Sequence, residues 1–100
     1  MIIGICKILY HFPYTESIKE KRQKLNSMKG ILRNKFNISI SEVDFHNFWQ
    51  KTILGIAVVN NDKQFLDKLF SKIIQEMEKF GYGYINDYQI EFINIGELQE

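Results

Sequence analysis

Runs dense in apolar and β-branched residues alternate along this chain with two longer stretches whose apolar residues recur every three or four positions. "IIGICKILYHF", Ile2 to Phe12, is of the first kind and stops at Pro13, so it predicts a strand. From Ser17 the pattern changes. Ile18, Leu25, Met28, Leu32 and Phe36 step by seven, three, four and four, which gathers them on one face of a helix. Ser17 and Glu20 supply a capping box at its start, the hydroxyl and the carboxylate each satisfying a free backbone N–H. "NISISEVDF", Asn37 to Phe45, opens with strict alternation, and "WQKTILGIAVVN", Trp49 to Asn60, is almost wholly apolar after its first residues. The two predict a hairpin around "HNF", with the second strand the more buried.

A second helix follows. Asn61 and Gln64 repeat the capping logic ahead of a stripe of Phe65, Leu66, Leu69, Phe70, Ile73, Met77 and Phe80, and Gly81 is expected to stop it in a left-handed conformation. "YINDYQIEFINI", Tyr84 to Ile95, sets Tyr88, Ile90 and Phe92 against Gln89 and Glu91, the alternation of a half-exposed strand, and a short tail ends the chain. The order β-α-β-β-α-β predicts a ferredoxin-like α+β fold. Its four-stranded antiparallel sheet has the order 4-1-3-2, and both helices pack on one face. The first and third runs are the most apolar and suit the centre, while the second and fourth suit the edges. With no internal repeat, linker or low-complexity segment, residues 1–100 read as one domain.

Composition agrees with a packed core: 45% of residues are apolar and 25% charged, unlike a disordered chain. No apolar run approaches the ~20 residues needed to cross a bilayer, and the start of the chain lacks the pattern of a secretory leader. The expectation is a soluble, cytoplasmic protein with no membrane partner. Cys6 is the lone cysteine, so no intramolecular disulfide can form, and its apolar surroundings predict an inert buried thiol. A net charge of +1 conceals an asymmetry, since residues 1–50 carry eight basic and four acidic side chains and residues 51–100 carry five and eight. A polarised surface follows, which bears on partners more than on fold.

Threading the chain through this topology brings three segments to one end of the sheet: the "HFPYTES" loop, the "DFHNFWQK" hairpin and the "FGYGY" connection. There Lys19, Lys21 and Arg22 at the start of helix one could hold an anion, or they could pair with Glu20, Glu42 or Asp44. Lys19, Arg22, Lys29 and Arg33 share one flank of the helix. From Arg22 to Arg33 is about 16 Å, long enough to touch several phosphates without reading sequence. The near-neutral overall charge weighs against such a ridge. Phe45, Phe48 and Trp49 lie in or beside the hairpin turn and either fold back onto the sheet or stand out to stack bases or anchor a partner. "KTILGIAV" lacks the aromatics with which RNA-recognition motifs stack bases on the sheet face, so that mode is not expected.

His11, His46 and Asp44 could be drawn as an acid–base group, but the chain carries no His/Cys metal spacing, no second carboxylate cluster and no nucleotide-binding loop. No catalytic, cofactor-binding or metal-binding residue is assigned, no small-molecule ligand is identifiable, and the expectation is a protein that is not an enzyme. The open face of the sheet suggests something else. If Lys7 points outward, so do Ile3, Ile5 and Leu9, and the third strand adds Ile53, Gly55, Ala57 and Val59. A contiguous apolar surface of this kind marks self-association or a partner, most simply a face-to-face homodimer.

The segments "MIIGICKI", "SIKEKRQKL", "RNKFNISISEVD", "WQ" at Trp49 and Gln50, and "LGIAVVNND" resemble, in that order, the YlxP-like family of small uncharacterised bacterial proteins. The resemblance covers the first two thirds of the chain. It maps onto Ser17, Lys19, Glu20, Lys21, Arg22, Arg33, Asn34, Phe36, Asn37, Glu42, Asp44, Trp49 and Gln50, and it departs from the family at His46 and Phe48. It implies a ferredoxin-like fold and no established activity. It also implies a link with translation and ribosome maturation, through genes lying near those for initiation factor two and ribosome-binding factor A. Two readings result. One is a non-catalytic module that touches RNA or a ribosomal subunit through Lys19, Lys21, Arg22, Lys29, Arg33 and Trp49. The other is a homodimeric interaction module acting through Ile3, Ile5, Leu9, Ile53, Ala57 and Val59.

Overall fold

Ser17 caps the first helix as its spacing predicts: its extended backbone leaves the hydroxyl free to accept from the Glu20 amide at 3.1 Å, while the Glu20 carboxylate reaches back to the Glu16 amide. The computed structural model describes residues 1–99. Strand β1 (Ile2–His11) leads into helix α1 (Ile18–Lys35), then strands β2 (Ser39–Asp44) and β3 (Lys51–Asn60), helix α2 (Lys63–Glu78) and strand β4 (Tyr84–Asn94). The sheet order is β2-β3-β1-β4, every pair antiparallel, with the two most apolar strands in the centre. This is the ferredoxin-like α+β architecture.

Alternation along the central strands decides which side chains meet the helices. Cys6, Ile8 and Tyr10 of β1 and Leu54, Ile56 and Val58 of β3 turn inward onto Leu25, Met28 and Leu32 of α1 and Leu66, Phe70, Ile73 and Met77 of α2. Cys6 is fully buried, as its apolar surroundings predict, and burial pushes its thiol up to about 11. The Tyr10 hydroxyl, also fully buried, faces the Gly83 backbone without reaching hydrogen-bond geometry, and burial raises it to about 12. Gly83 is where the chain needs a glycine: a Cβ there would sit 1.7 Å from the His11 carbonyl oxygen.

Several sequence expectations change at the level of single positions. Ile18 is exposed, and the gap of seven residues before Leu25 is filled by Lys21, which lies three after Ile18 and four before Leu25 and is fully buried. The cap of α2 is Asp62 rather than Asn61, its carboxylate accepting from the Gln64 and Phe65 amides, because the helix starts one residue later. Phe65 is half-exposed. Gly81 does not adopt a left-handed conformation: α2 ends at Glu78 with Lys79 still right-handed, and no glycine in the structure has positive φ. Among the described residues the one that does is Phe45, at φ 62°. The strands of the hairpin stop at Asp44 and resume at Lys51, so Trp49 and Gln50 belong to the loop. In β4 the alternation holds for the partly buried Ile90 and Phe92, whereas Tyr88 is half-exposed.

Candidate functional site

The inward alternation of β2 places Ile40 and then Glu42 beneath α1, so a carboxylate enters the core where an apolar side chain would be expected. Its neighbours account for it. Glu42 Oε1 accepts from Arg22 Nη1 at 2.6 Å, and Oε2 accepts from the Thr52 hydroxyl at 2.5 Å and lies 3.1 Å from Lys21 Nζ. Burial by itself raises the Glu42 carboxyl, but the bonds from Thr52, Arg22 and Lys21 outweigh it and hold the group below the usual carboxylate range. Lys21 is shifted downward, chiefly by burial and only in part restored by Glu42. A buried ion pair of this kind gains little net stability but costs several kcal/mol, roughly 3–5, when one partner is removed.

The same cations reach past Glu42 to the β2–β3 loop. Lys21 Nζ donates to the Phe45 carbonyl at 2.6 Å and Arg22 Nη2 to the His46 carbonyl at 2.6 Å. Phe45 is the left-handed residue, a conformation that costs a non-glycine residue of order 1–3 kcal/mol, and its carbonyl also accepts from the Phe48 amide at 3.1 Å. Asp44 turns its carboxylate onto the Phe45 amide at 2.7 Å. Beyond the turn, Gln50 binds the β1–α1 loop: its carbonyl accepts from the Phe12 amide, and its side-chain amide donates to the Thr15 carbonyl at 3.2 Å. The loop backbone is thus fixed from both ends by side chains of α1 and by the neighbouring loop.

That fixed backbone holds out aromatic side chains. Trp49 is 52% exposed and Phe48 49%. With His11, Asn47, Gln50 and Lys51 they line an open recess of about 580 Å³. The Lys51 ammonium sits 4.3 Å and 4.5 Å from the Phe45 and Phe48 ring centres, which orients those rings. Tyr14, which the sequence reading did not single out, is 83% exposed on the loop that Gln50 ties down. Its position directly after Pro13 in a connecting loop was the available signal.

The residues proposed from sequence therefore separate. Lys21 is removed from any contact surface, because it is fully buried against Glu42. Arg22 and Arg33 each spend part of the guanidinium internally, Arg33 Nη2 donating to the Ile40 carbonyl at 2.9 Å, and Arg22 is still partly accessible. Lys19 and Arg33 are exposed and Lys29 is half-buried on the same helix. The acid–base group does not assemble: a register shift between Glu42 and Asp44 breaks the regular alternation, Asp44 serves the backbone, and His46 lies 3.9 Å from Glu42 instead. His11 stacks on Tyr84 with ring centres 5.4 Å apart. Among the described residues no group of three or more His, Cys, Asp or Glu side chains is placed to hold a metal, and no helix is long and apolar enough to cross a membrane.

Comparison with known proteins adds relatives rather than an activity. The model of a family described as "Protein of unknown function (DUF503)" matches residues 3–90. The uncharacterized protein YlxP of Bacillus subtilis (strain 168) is 36% identical over 64 residues, which is 64% of this chain and 70% of that protein. A solved structure of LarC2, the C-terminal domain of a cyclometallase involved in the synthesis of the NPN cofactor of lactate racemase, in its apo form, is similar at a TM-score of 0.47 and 10% identity. The likeness covers 93% of this chain and 55% of that one.

Proposed function

The chain belongs to the DUF503 family of unknown function, and from that premise we propose that it is a non-catalytic binding module that holds RNA, free or in a ribosomal subunit, at the Trp49 loop. The observation that carries this reading is the contrast within one short segment. The backbone of the loop is pinned by a buried lysine, an arginine and a glutamine, yet Trp49 and Phe48 stand in solvent. An aromatic side chain held out on a rigid support loses little freedom on binding, which favours stacking on an unpaired base. Lys19, Lys29 and Arg33 supply phosphate contacts along the adjoining helix, and Arg22 links that flank to the loop. Such a role places the protein in the cytoplasm, with no metal or cofactor in the function.

Binding of the purified protein to ribosomal subunits and to single-stranded RNA across a salt series tests this. Trp49→Ala should weaken binding by about five- to 150-fold, as expected for the loss of one stacked base at roughly 1–3 kcal/mol. A Lys19→Ala, Lys29→Ala, Arg33→Ala variant should weaken it and flatten its salt dependence. No saturable binding at low salt, or binding indifferent to Trp49, would sink the reading.

A further inference from the structure

The pairing register fixes which side chains occupy the face of the sheet turned away from the helices. Ile3, Ile5 and Leu9 of β1 stand beside Val59, Ala57 and Ile53 of β3, and β4 extends the field with Ile93 opposite Ile3. Val59 is 60% exposed and Ile93 45%. Val43, which bulges from β2, lies over Gly55: a Cβ on that glycine would come 3.0 Å from the Val43 Cγ1. The apolar field therefore runs along β1 and β3 and reaches β2 at Val43 and β4 at Ile93. The whole face, with Lys7, Asp87, Gln89 and Glu91 in it, spans about 19 Å across the strands and about 33 Å along the ten-residue central pair, roughly 600 Å² in projection. Side-chain relief adds to that, and about 800 Å² per partner is what a standard stable interface buries.

The charges on this face indicate what covers it. Lys7 sits in the middle, opposite Gly55 on one side and Gln89 on the other, and forms no ion pair among the described residues. Two carboxylates, Asp87 and Glu91, flank Gln89 on the same face, opposite Leu9 and Ile5. One surface thus carries an apolar field, an unpaired cation and two carboxylates, so it is complementary to a second copy of itself across a twofold axis, where residue i of each copy meets residue j of the other. Edge-to-edge association is opposed by the same acids, since pairing two β4 strands about Gln89 would set Asp87 opposite Glu91 twice.

We propose that two copies of this chain associate face to face through the open side of the sheet, with Lys7 of each copy against Asp87 and Glu91 of the other. The interface is independent of the Trp49 loop, so the two proposals stand or fall separately. Sedimentation equilibrium at protein concentrations up to about 0.1 mM reads the association. The wild-type protein should dimerise, and Ala57→Glu, which places a charge in the apolar field, should raise the dissociation constant at least about tenfold while the circular dichroism spectrum stays unchanged. Lys7→Glu alone and the double variant Asp87→Lys, Glu91→Lys alone should each be monomeric through like-charge repulsion, and an equimolar mixture of the two should form a heterodimer. A wild-type protein that stays monomeric throughout, a dimer that survives Ala57→Glu, or charge variants that fail to associate on mixing would each overturn the proposal.

Discussion

Lys21 shows how far one side chain can depart from its composition-level reading. A lysine on an amphipathic helix normally stands in water, yet here the ammonium lies fully buried between the Glu42 carboxylate and the Phe45 carbonyl. Replacing it with methionine keeps the stem and removes three donors. Arg22 and Thr52 still satisfy Glu42, but the Phe45 carbonyl loses its strongest partner. Lys21→Met should lower stability by about 2–4 kcal/mol, read as a shift of the urea midpoint. It should also lower affinity at the loop, since the left-handed turn at Phe45 is then held from α1 by Arg22 alone, through the His46 carbonyl. An unchanged midpoint would mean that the pair is not buried in solution.

At the scale of elements, the caps test how the helices are bounded. The carboxylate of Asp62 meets two free amides of α2, and the Asn60 side chain in turn accepts from the Asp62 amide at 2.9 Å. Asp62→Ala should therefore cost about 1 kcal/mol, whereas Asn61→Ala should stay within about 0.5 kcal/mol as an ordinary surface change. Thermal unfolding of the two variants side by side checks the assignment, and equal losses would put the cap back at Asn61. Sequence spacing identified both helices and their core faces because Leu25, Met28 and Leu32, and likewise Leu66, Phe70, Ile73 and Met77, keep the helical period. It misplaced the second cap by one residue because Asn61 and Asp62 are both competent capping residues. Which of them caps depends on where β3 releases the chain.

For the whole molecule, the buried network makes stability depend on pH in a defined direction. The Glu42 carboxyl is lower in the folded protein than the usual 4.5, so the stability it contributes is fully present above that value and is lost as pH falls through the folded value. The unfolding free energy should fall on acidification below about pH 4.5, and Glu42→Gln should be less stable at neutral pH with a shallower acid slope. Parallel slopes for the two proteins would assign the acid transition to other carboxylates. The end of the sheet where this network sits was legible as a meeting place of three segments. Its division of labour was not: Lys21 and Arg22, which looked free to bind phosphate, are consumed wholly or in part in holding the loop, and Trp49, Phe48 and Tyr14 stand out in solvent.

The order of elements, the two core faces and the Ser17 cap follow from the sequence alone, since each rests on local periodicity or on a contact between residues three apart, and the strand order follows from that element order and from the first and third strands being the most apolar. The outward set of β1 and β3 follows in the same way, because a strand turns successive side chains to opposite faces. The burial of Lys21, the left-handed Phe45 and the pinning of the Trp49 loop arose only in three dimensions. Each involves groups more than twenty residues apart, Lys21 with Glu42 and Phe45, Arg22 with His46, and Gln50 with Thr15, which meet only because the packing of the sheet sets the position of α1 and the loops. A charge in the sequence records that an ion is present, and only the tertiary structure decides whether its partner is water, a ligand or another part of the chain.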